Sequence, residues 1–475
     1  MMWRSDSIIQ ATTGAFQGAA FEASGVAIDS RKLQSGMLFV ALKGDRVDGH
    51  DYVKEALARG AVAALVHKTP PGVKSDAPLI VVNDTYKALV DLAIAARRLR
   101  RAKIIAVTGS VGKTGTKEAI RIAAGSVGAA YATEGNLNNH IGLPLSLANL
   151  PPQAQLGIFE LGMNHTGEIS FLTRILRPDI AVITNVEAVH LEFFPHIDAI
   201  ADAKAEIMEG MKEDGILILN RDNRFYEHLA MRAGEHGIRR ILTFGAHAEA
   251  QCRLVNYTLR DLGSEVEASI GGTPIVYRLG TIGRHWAMTS LAALAAVTSA
   301  GIDLADAAAA LAHFHELDGR GRIHRVLLKQ DKPILLIDDC YNASPSSMHA
   351  AFAKLAELKA GLGTGRTIAV LGDMLELGVA SVELHKELLF VLLQYGVDKI
   401  YASGLLMKHL YEILPPSMRG AYAKNATDLA PKIAAALQAQ DVILIKGSRG
   451  SRMDIVRDAI LASSPHTLKE TADAL

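Results

Sequence analysis

Cysteine is nearly absent from this chain of 475 residues: Cys252 and Cys340 are the only two, and they lie far apart. That excludes a disulfide framework and a cysteine-based zinc site, and it fits a reducing compartment. No charge of one sign dominates. Fifty Lys and Arg balance fifty Asp and Glu, so nothing points to nucleic acid or an anionic membrane as a partner. The first ten residues include Arg4 and Asp6 and no long apolar stretch, so no signal peptide is expected. The most apolar region, 290–312, is interrupted by Asp303 and Asp306 and predicts core helices instead of a membrane span. The expectation is a soluble, cytoplasmic monomer.

The length exceeds what one core can serve and suggests about three domains. In 1–101, short strand-like runs (37–42, 61–66, 79–82) alternate with helical patterns (52–58, 86–99), which predicts a small α/β domain. In 102–322, strands at 103–107, 156–161, 180–184 and 216–219 alternate with helices. This predicts a central, mostly parallel sheet covered on both faces. In 323–475, strands at 334–337, 367–371, 399–402 and 442–445 predict an open Rossmann-like sheet. That segment lacks G-x-G-x-x-G, so a dinucleotide is not expected there. The fold class is therefore α/β in three domains.

The most informative stretch is Val107-Thr108-Gly109-Ser110-Val111-Gly112-Lys113-Thr114, between a predicted strand and a helical pattern carried by Ala119, Ile120, Ala123, Ala124 and Val127. Strand, glycine loop and helix together aim backbone N–H groups and a helix N-terminus at phosphate. Thr108, Gly109, Ser110 and Gly112 would form the cradle, Lys113 would reach the terminal phosphates, and Thr114 would ligate magnesium. Val107 stands where a full Walker A pattern has its first glycine. The motif predicts a bound nucleoside triphosphate and leaves its use open.

Three more polar residues fall where a parallel sheet presents ligands. Glu160 closes a buried run, where an acid is costly unless it is paired or holds a metal; a capping or salt-bridged glutamate is the plainer alternative. His190 follows the strand 180–184 and reads as a ligand or as a structural histidine. Lys204 lies on the apolar stripe of a helix predicted over 197–211, between Ile200 and Met208. Its amine either snorkels to water or is neutral and carbamylated, which would turn a cation into an oxygen ligand for magnesium. Both readings stand.

On these residues the chain resembles the Mur ligases of peptidoglycan synthesis, and the likeness covers essentially its whole length. Thr108 to Thr114 looks like their phosphate loop, and Glu160, His190 and Lys204 fall where that family has two magnesium ligands and a carbamylated lysine. Supporting segments are Asp29-Ser30-Arg31, Asn136-Leu137-Asn138-Asn139-His140, Asp338-Asp339-Cys340-Tyr341-Asn342-Ala343, Leu371-Gly372-Asp373-Met374-Leu375-Glu376 and Lys446-Gly447-Ser448-Arg449. The sister enzymes' Asp-Asn-Pro-Arg box for diaminopimelate is absent. Where the family has His-Asn-x-x-Asn for adenine, this chain reads His285-Trp286-Ala287-Met288-Thr289; Trp286 either stacks on a purine or belongs to the core.

The resemblance implies an ATP-dependent ligase with two Mg2+ ions, joining D-alanyl-D-alanine to UDP-N-acetylmuramoyl-tripeptide through an acyl phosphate. It implies nucleotide contacts from Arg320, Asp339, Tyr341 and Asn342. It also implies substrate contacts from Asn138 and Asn139 and, in the first domain, from Ser30 and Arg31, for which a solvated turn is the alternative. Two other enzymes compete: a sister ligase adding a single amino acid, and a folylpolyglutamate synthase, whose phosphate loop lies near its start. A nucleotide switch without ligase chemistry is the third alternative, but the Asn-Lys-x-Asp of guanine-specific switches is missing.

Overall fold

The structure is a computed structural model that describes residues 2–463 apart from 17, 75, 126–128, 189–191, 328–332 and 363–364. Three main sheets follow one another along the chain. The first has five strands in the order Ala15–Phe16, Leu79–Val81, Ala63–Val66, Leu38–Val40, Val26–Ala27. All neighbours are parallel except the edge strand Ala15–Phe16.

Helix Thr85–Leu99 starts at Asp84, whose carboxylate accepts from the Lys87 amide. Its buried stripe, Ala88, Leu89, Leu92, Ala93 and Ala96, repeats at helical spacing. Polar contacts tie this first unit to the second. Trp3 Nε1 donates to Ala148 O at 2.9 Å, and Arg97 Nε donates to Leu176 O at 2.8 Å.

The second sheet has nine strands: Thr273–Leu279, Gly263–Ile270, Cys252–Arg260, Arg240–Gly245, Ile216–Asn220, Ile180–Ile183, Lys103–Thr108, Leu156–Glu160, Ala130–Ala132. From Ala130–Ala132 to Cys252–Arg260 every pairing is parallel; the last two are antiparallel. Alternate residues of Lys103–Thr108 serve different cores. Ile105 and Val107 pack with helices Lys113–Ala123 and Arg284–Ser299, while Ile104 and Ala106 pack with Gly142–Ala148 and Glu168–Leu176. The chain leaves Lys103–Thr108 for one side of the sheet and later returns to the other, at Ile180–Ile183. The reversal puts a crevice at the carboxyl end of Lys103–Thr108, where open α/β sheets bind ligands.

The third sheet runs Arg322–Val326, Ile334–Asp339, Val442–Lys446, Thr367–Gly372, Lys399–Ser403, Arg419–Ala423, parallel apart from the Arg322–Val326 edge. Each strand predicted from sequence has a counterpart within a few residues. One helix differs: the pattern predicted over 197–211 is α-helical only over Ile197–Ala205 and continues as a tighter 3-10 turn, Glu206–Gly210. Gly210 packs so closely on Thr173 that no side chain fits there. Glu206 turns aside to accept the amides of Gly167 (2.6 Å) and Ser170 (3.0 Å) at the start of helix Glu168–Leu176. Among the described residues no helix is long and apolar enough to cross a membrane.

The chain enters the third sheet beneath helix Pro345–Leu362, where Lys354 forms a buried ion pair with Glu316 and donates to Gly321 O at 2.7 Å. Removing one partner of such a pair leaves an uncompensated buried charge. Glu316→Ala is therefore expected to cost about 3–5 kcal/mol of stability, checked as a lowered denaturant midpoint.

Candidate active site

Strand Lys103–Thr108 ends in Thr108, whose hydroxyl donates to Leu161 O at 2.9 Å across to the neighbouring strand. Gly109 follows with φ +146°, and a Cβ there would collide with Thr184 Oγ1. Gly112, at φ +86°, starts helix Lys113–Ala123 in the left-handed region, which glycine adopts freely. The loop is pinned from the adjacent strand: Ser110 N–H donates to Asn185 O at 2.8 Å and Thr184 Oγ1 donates to Val111 O at 2.6 Å. Backbone donors and a helix start are thus held open toward the crevice.

Lys113 folds its ammonium back over this loop, donating to Gly109 O at 2.6 Å and Ser110 O at 3.3 Å. Burial pulls its pKa down; Glu160 opposes that shift and Arg320 adds to it. Glu160 ends its strand 2% exposed. Its Oε1 accepts from Asn138 Nδ2 at 2.8 Å, and its Oε2 is buried with no hydrogen-bond partner. A lone carboxylate oxygen in a low-dielectric site is costly, so the position calls for a cation or a donor. Lys204 is fully buried on helix Ile197–Ala205, and burial followed by repulsion from Lys113 pushes its pKa well down. At 1% exposure the side chain does not reach water, so its stem does not snorkel. His190 lies outside the described residues. Among the described residues no three His, Cys, Asp or Glu side chains form a metal cluster.

The third sheet closes the other side. Lys446, at the end of strand Val442–Lys446, pairs with Asp339 at 2.6 Å and donates to Asn342 O at 2.9 Å. Arg320 stacks over the Tyr341 ring at 4.1 Å. One cavity of about 500 Å³ is lined by Ser110, Gly112, Lys113, Thr114, Asn138, Glu160, Arg320, Asp339, Tyr341 and Asn342. Residues separated by more than two hundred positions in sequence thus converge.

Other expected residues do not line this cavity. Asn139 Oδ1 instead accepts from the amides of Ile141 (3.2 Å) and Gly142 (2.8 Å) and caps the next helix. Ser30 is buried in the first unit, while Arg31 is exposed and pairs with Asp29 at 2.8 Å. The Arg31 hydrogen bond holds the Asp29 carboxyl down at about 2. Trp286 is resolved toward the core: it is 7% exposed, packs edge-on against Phe314 at 5.2 Å, and presses on Gly115, with one edge on the cavity. Two lining residues to which the sequence alone assigned no site role are Asn185 and Lys446. A lysine closing a buried apolar strand was the available signal for Lys446, as the same pattern was for Glu160.

A parallel sheet with a phosphate cradle at its switch point, facing a second sheet across a cationic cavity, defines a two-sided nucleotide-binding α/β protein. Comparison with known sequences narrows the class. Residues 22–97 match the Mur ligase family, catalytic domain; 107–297 match the Mur ligase middle domain; and 321–449 match the Mur ligase, glutamate ligase domain. The chain is 36% identical over 460 residues to the UDP-N-acetylmuramoyl-tripeptide–D-alanyl-D-alanine ligase of Rickettsia prowazekii, covering 96% of this chain and 99% of that one. Among solved structures, MurF from Acinetobacter baumannii superposes with a TM-score of 0.84 at 29% identity, covering 97% of this chain and 99% of that one. MurF ligase from Thermotoga maritima in complex with ADP gives a TM-score of 0.77 at 28% identity, covering 92% and 97%. The chain belongs to the Mur ligase family.

Proposed function

We propose that this chain is an ATP-dependent amide ligase that joins D-alanyl-D-alanine to UDP-N-acetylmuramoyl-tripeptide, in the cytoplasm and as a monomer. The observation that carries the reading is the single cavity in which the phosphate loop, Glu160 and the Asp339–Lys446 pair meet. The relatives' names supply the substrates, and the Thermotoga maritima complex with ADP supports an adenine nucleotide.

A carboxylate is a poor electrophile, so its oxygen must first become a leaving group. ATP phosphorylates the tripeptide's terminal carboxylate; the dipeptide amine then attacks the acyl carbon, and phosphate departs. The protein's part in phosphoryl transfer is chiefly positioning and charge stabilisation. The phosphate loop binds the β- and γ-phosphates, with Lys113 moving from its own carbonyls onto them. Arg320 faces the γ-phosphate from the other side, and Asp339, Tyr341 and Asn342 hold the nucleotide from above. Asn138 keeps Glu160 in place.

Two Mg2+ ions would be held by this chain's own residues. Thr114 would hold one; Glu160, through its unpartnered Oε2, would hold the second with His190 and a Lys204 carbamate. A buried lysine with a depressed pKa is the nucleophilic form that adds carbon dioxide, releasing a proton. When bound, the ions neutralise the meeting anions, whose repulsion at low local dielectric would be several kcal/mol. We assign the UDP moiety to 1–101 with Ser30 and Arg31, the nucleotide to 102–322, and part of the dipeptide site to 323–475; closure of these modules excludes water from the acyl phosphate. The test is ADP release with the UDP-linked tripeptide and a panel of amines. D-Alanyl-D-alanine should stimulate it and single amino acids should not; stimulation by a single amino acid would favour a sister ligase instead.

A further inference from the structure

Beside the nucleotide cavity lies a second one of about 550 Å³, and the two share Asn185, Ser346 and Ala350. On the central side it is bounded by Glu187, in the segment after strand Ile180–Ile183; opposite stand helices Pro345–Leu362 and Ser381–Gln394. Leu384, Leu388 and Val391 form an apolar wall from one face of Ser381–Gln394. The other charged or titratable groups lining it are Glu387 and His349, and among the described residues no lysine or arginine does. Two carboxylates and an apolar wall suit a small amine with short apolar branches. They suit the ammonium end of such a molecule and do not suit a phosphate.

Glu187 is anchored. Its N–H donates to Ser110 Oγ at 3.0 Å, the same hydroxyl donates back to Glu187 O at 3.1 Å, and its Oε1 accepts from Asn185 Nδ2 at 2.7 Å. The acid is therefore fixed to the phosphate loop itself and lines the second cavity beside Asn185, which lines both. A carboxyl activated in the nucleotide cavity would be approached from the second cavity past Asn185, Ser346 and Ala350, which line both. Burial raises the Glu187 pKa, opposed by the Asn185 hydrogen bond and by Arg224, which makes the carboxylate a readier proton acceptor.

We propose that Glu187 receives the ammonium group of the incoming dipeptide in this second cavity and takes one of its protons before attack. This rests on the ligase reading above. The proton passes to the Glu187 carboxylate and the freed nitrogen lone pair forms the C–N bond at the acyl carbon. The C–O bond to phosphate then breaks with its electron pair on phosphate, and the second nitrogen proton leaves with that phosphate. Glu187 returns its proton to solvent.

Steady-state kinetics of the full chain test this. Glu187→Gln should raise KM for D-alanyl-D-alanine and lower kcat/KM for it by about 10- to 100-fold, the worth of a lost hydrogen bond to a charged group. KM for ATP and for the UDP-linked tripeptide should stay near wild type. The deficit should narrow as pH rises toward about 8, where the α-amine deprotonates unaided; a merely structural defect would not do this. Leu384→Trp, which narrows the cavity without touching the phosphate loop, should raise the dipeptide KM alone and carries the comparison if Glu187→Gln fails to fold. Wild-type ligation with unchanged dipeptide KM and pH profile in either variant would overturn this assignment and leave the ligase reading standing. Absence of dipeptide-dependent ADP release in the wild type would overturn both.

Discussion

Lys113→Ala is expected to lower ADP formation by about a hundred- to a thousandfold, the loss seen when a charge-stabilising donor is removed from a reacting centre. The fold should survive. Lys113 is only half-buried, and its two hydrogen bonds go to carbonyls of its own loop, at Gly109 and Ser110. The loop is also pinned by the Ser110–Asn185 and Thr184–Val111 hydrogen bonds, which the variant keeps, so the stability cost should be small. The cost to turnover has a different origin. Burial already disfavours the ammonium, with Arg320 adding to the strain, and a triphosphate in the crevice would supply the anion that the charge lacks. Coupled ADP-release kinetics and a thermal melt check the two halves. Retained turnover would remove the phosphate-loop assignment.

Lys204→Ala should be as severe, by at least about a hundredfold, but for an unlike reason. Lys204 makes no part of the nucleotide cavity's lining; it acts through what its amine becomes. Desolvation and the nearby Lys113 push its pKa well down, while Glu206, Glu160 and Glu168 pull the other way without reversing the shift. Adding short carboxylates such as acetate should restore part of the activity of Lys204→Ala, because a carboxylate occupies the place of the lost carbamate. Lys204→Met, which keeps the buried stem, should be inactive with its fold intact. Indifference of Lys204→Ala to added carboxylates would leave the carbamate without support.

The buried strands were legible because they are continuous apolar runs: 103–107, 156–159 and 442–445 announce themselves and place the phosphate loop, Glu160 and Lys446 at their ends. Three of the strands not foreseen from the sequence are of a different kind. Gly263–Ile270 alternates Glu265, Val266, Glu267, Ala268, with one face buried and one partly exposed. Its period of two is visible only when looked for at solvent-facing positions. Thr273–Leu279 and Arg419–Ala423 are edges of their sheets, where polar residues blur the pattern.

The site was legible wherever chemistry forces a residue type, as at Lys113 or the costly acid Glu160. It was not legible where long-range folding supplies the partner. Nothing local tells that Asn138 holds Glu160, that Asn139 is occupied in capping a helix, or that Glu187 stands opposite helix Ser381–Gln394. Trp286 was ambiguous for the same reason. Only the approach of Gly115 and Phe314 places its ring in the core.

The central claim is that the tripeptide's terminal carboxylate is phosphorylated before the amide forms. The most direct measurement labels that carboxylate with oxygen-18 and follows the label through ligation to D-alanyl-D-alanine. The account expects one labelled oxygen to appear in inorganic phosphate for each amide formed from doubly labelled carboxylate. Inorganic phosphate free of label, with amide nonetheless formed, would contradict it.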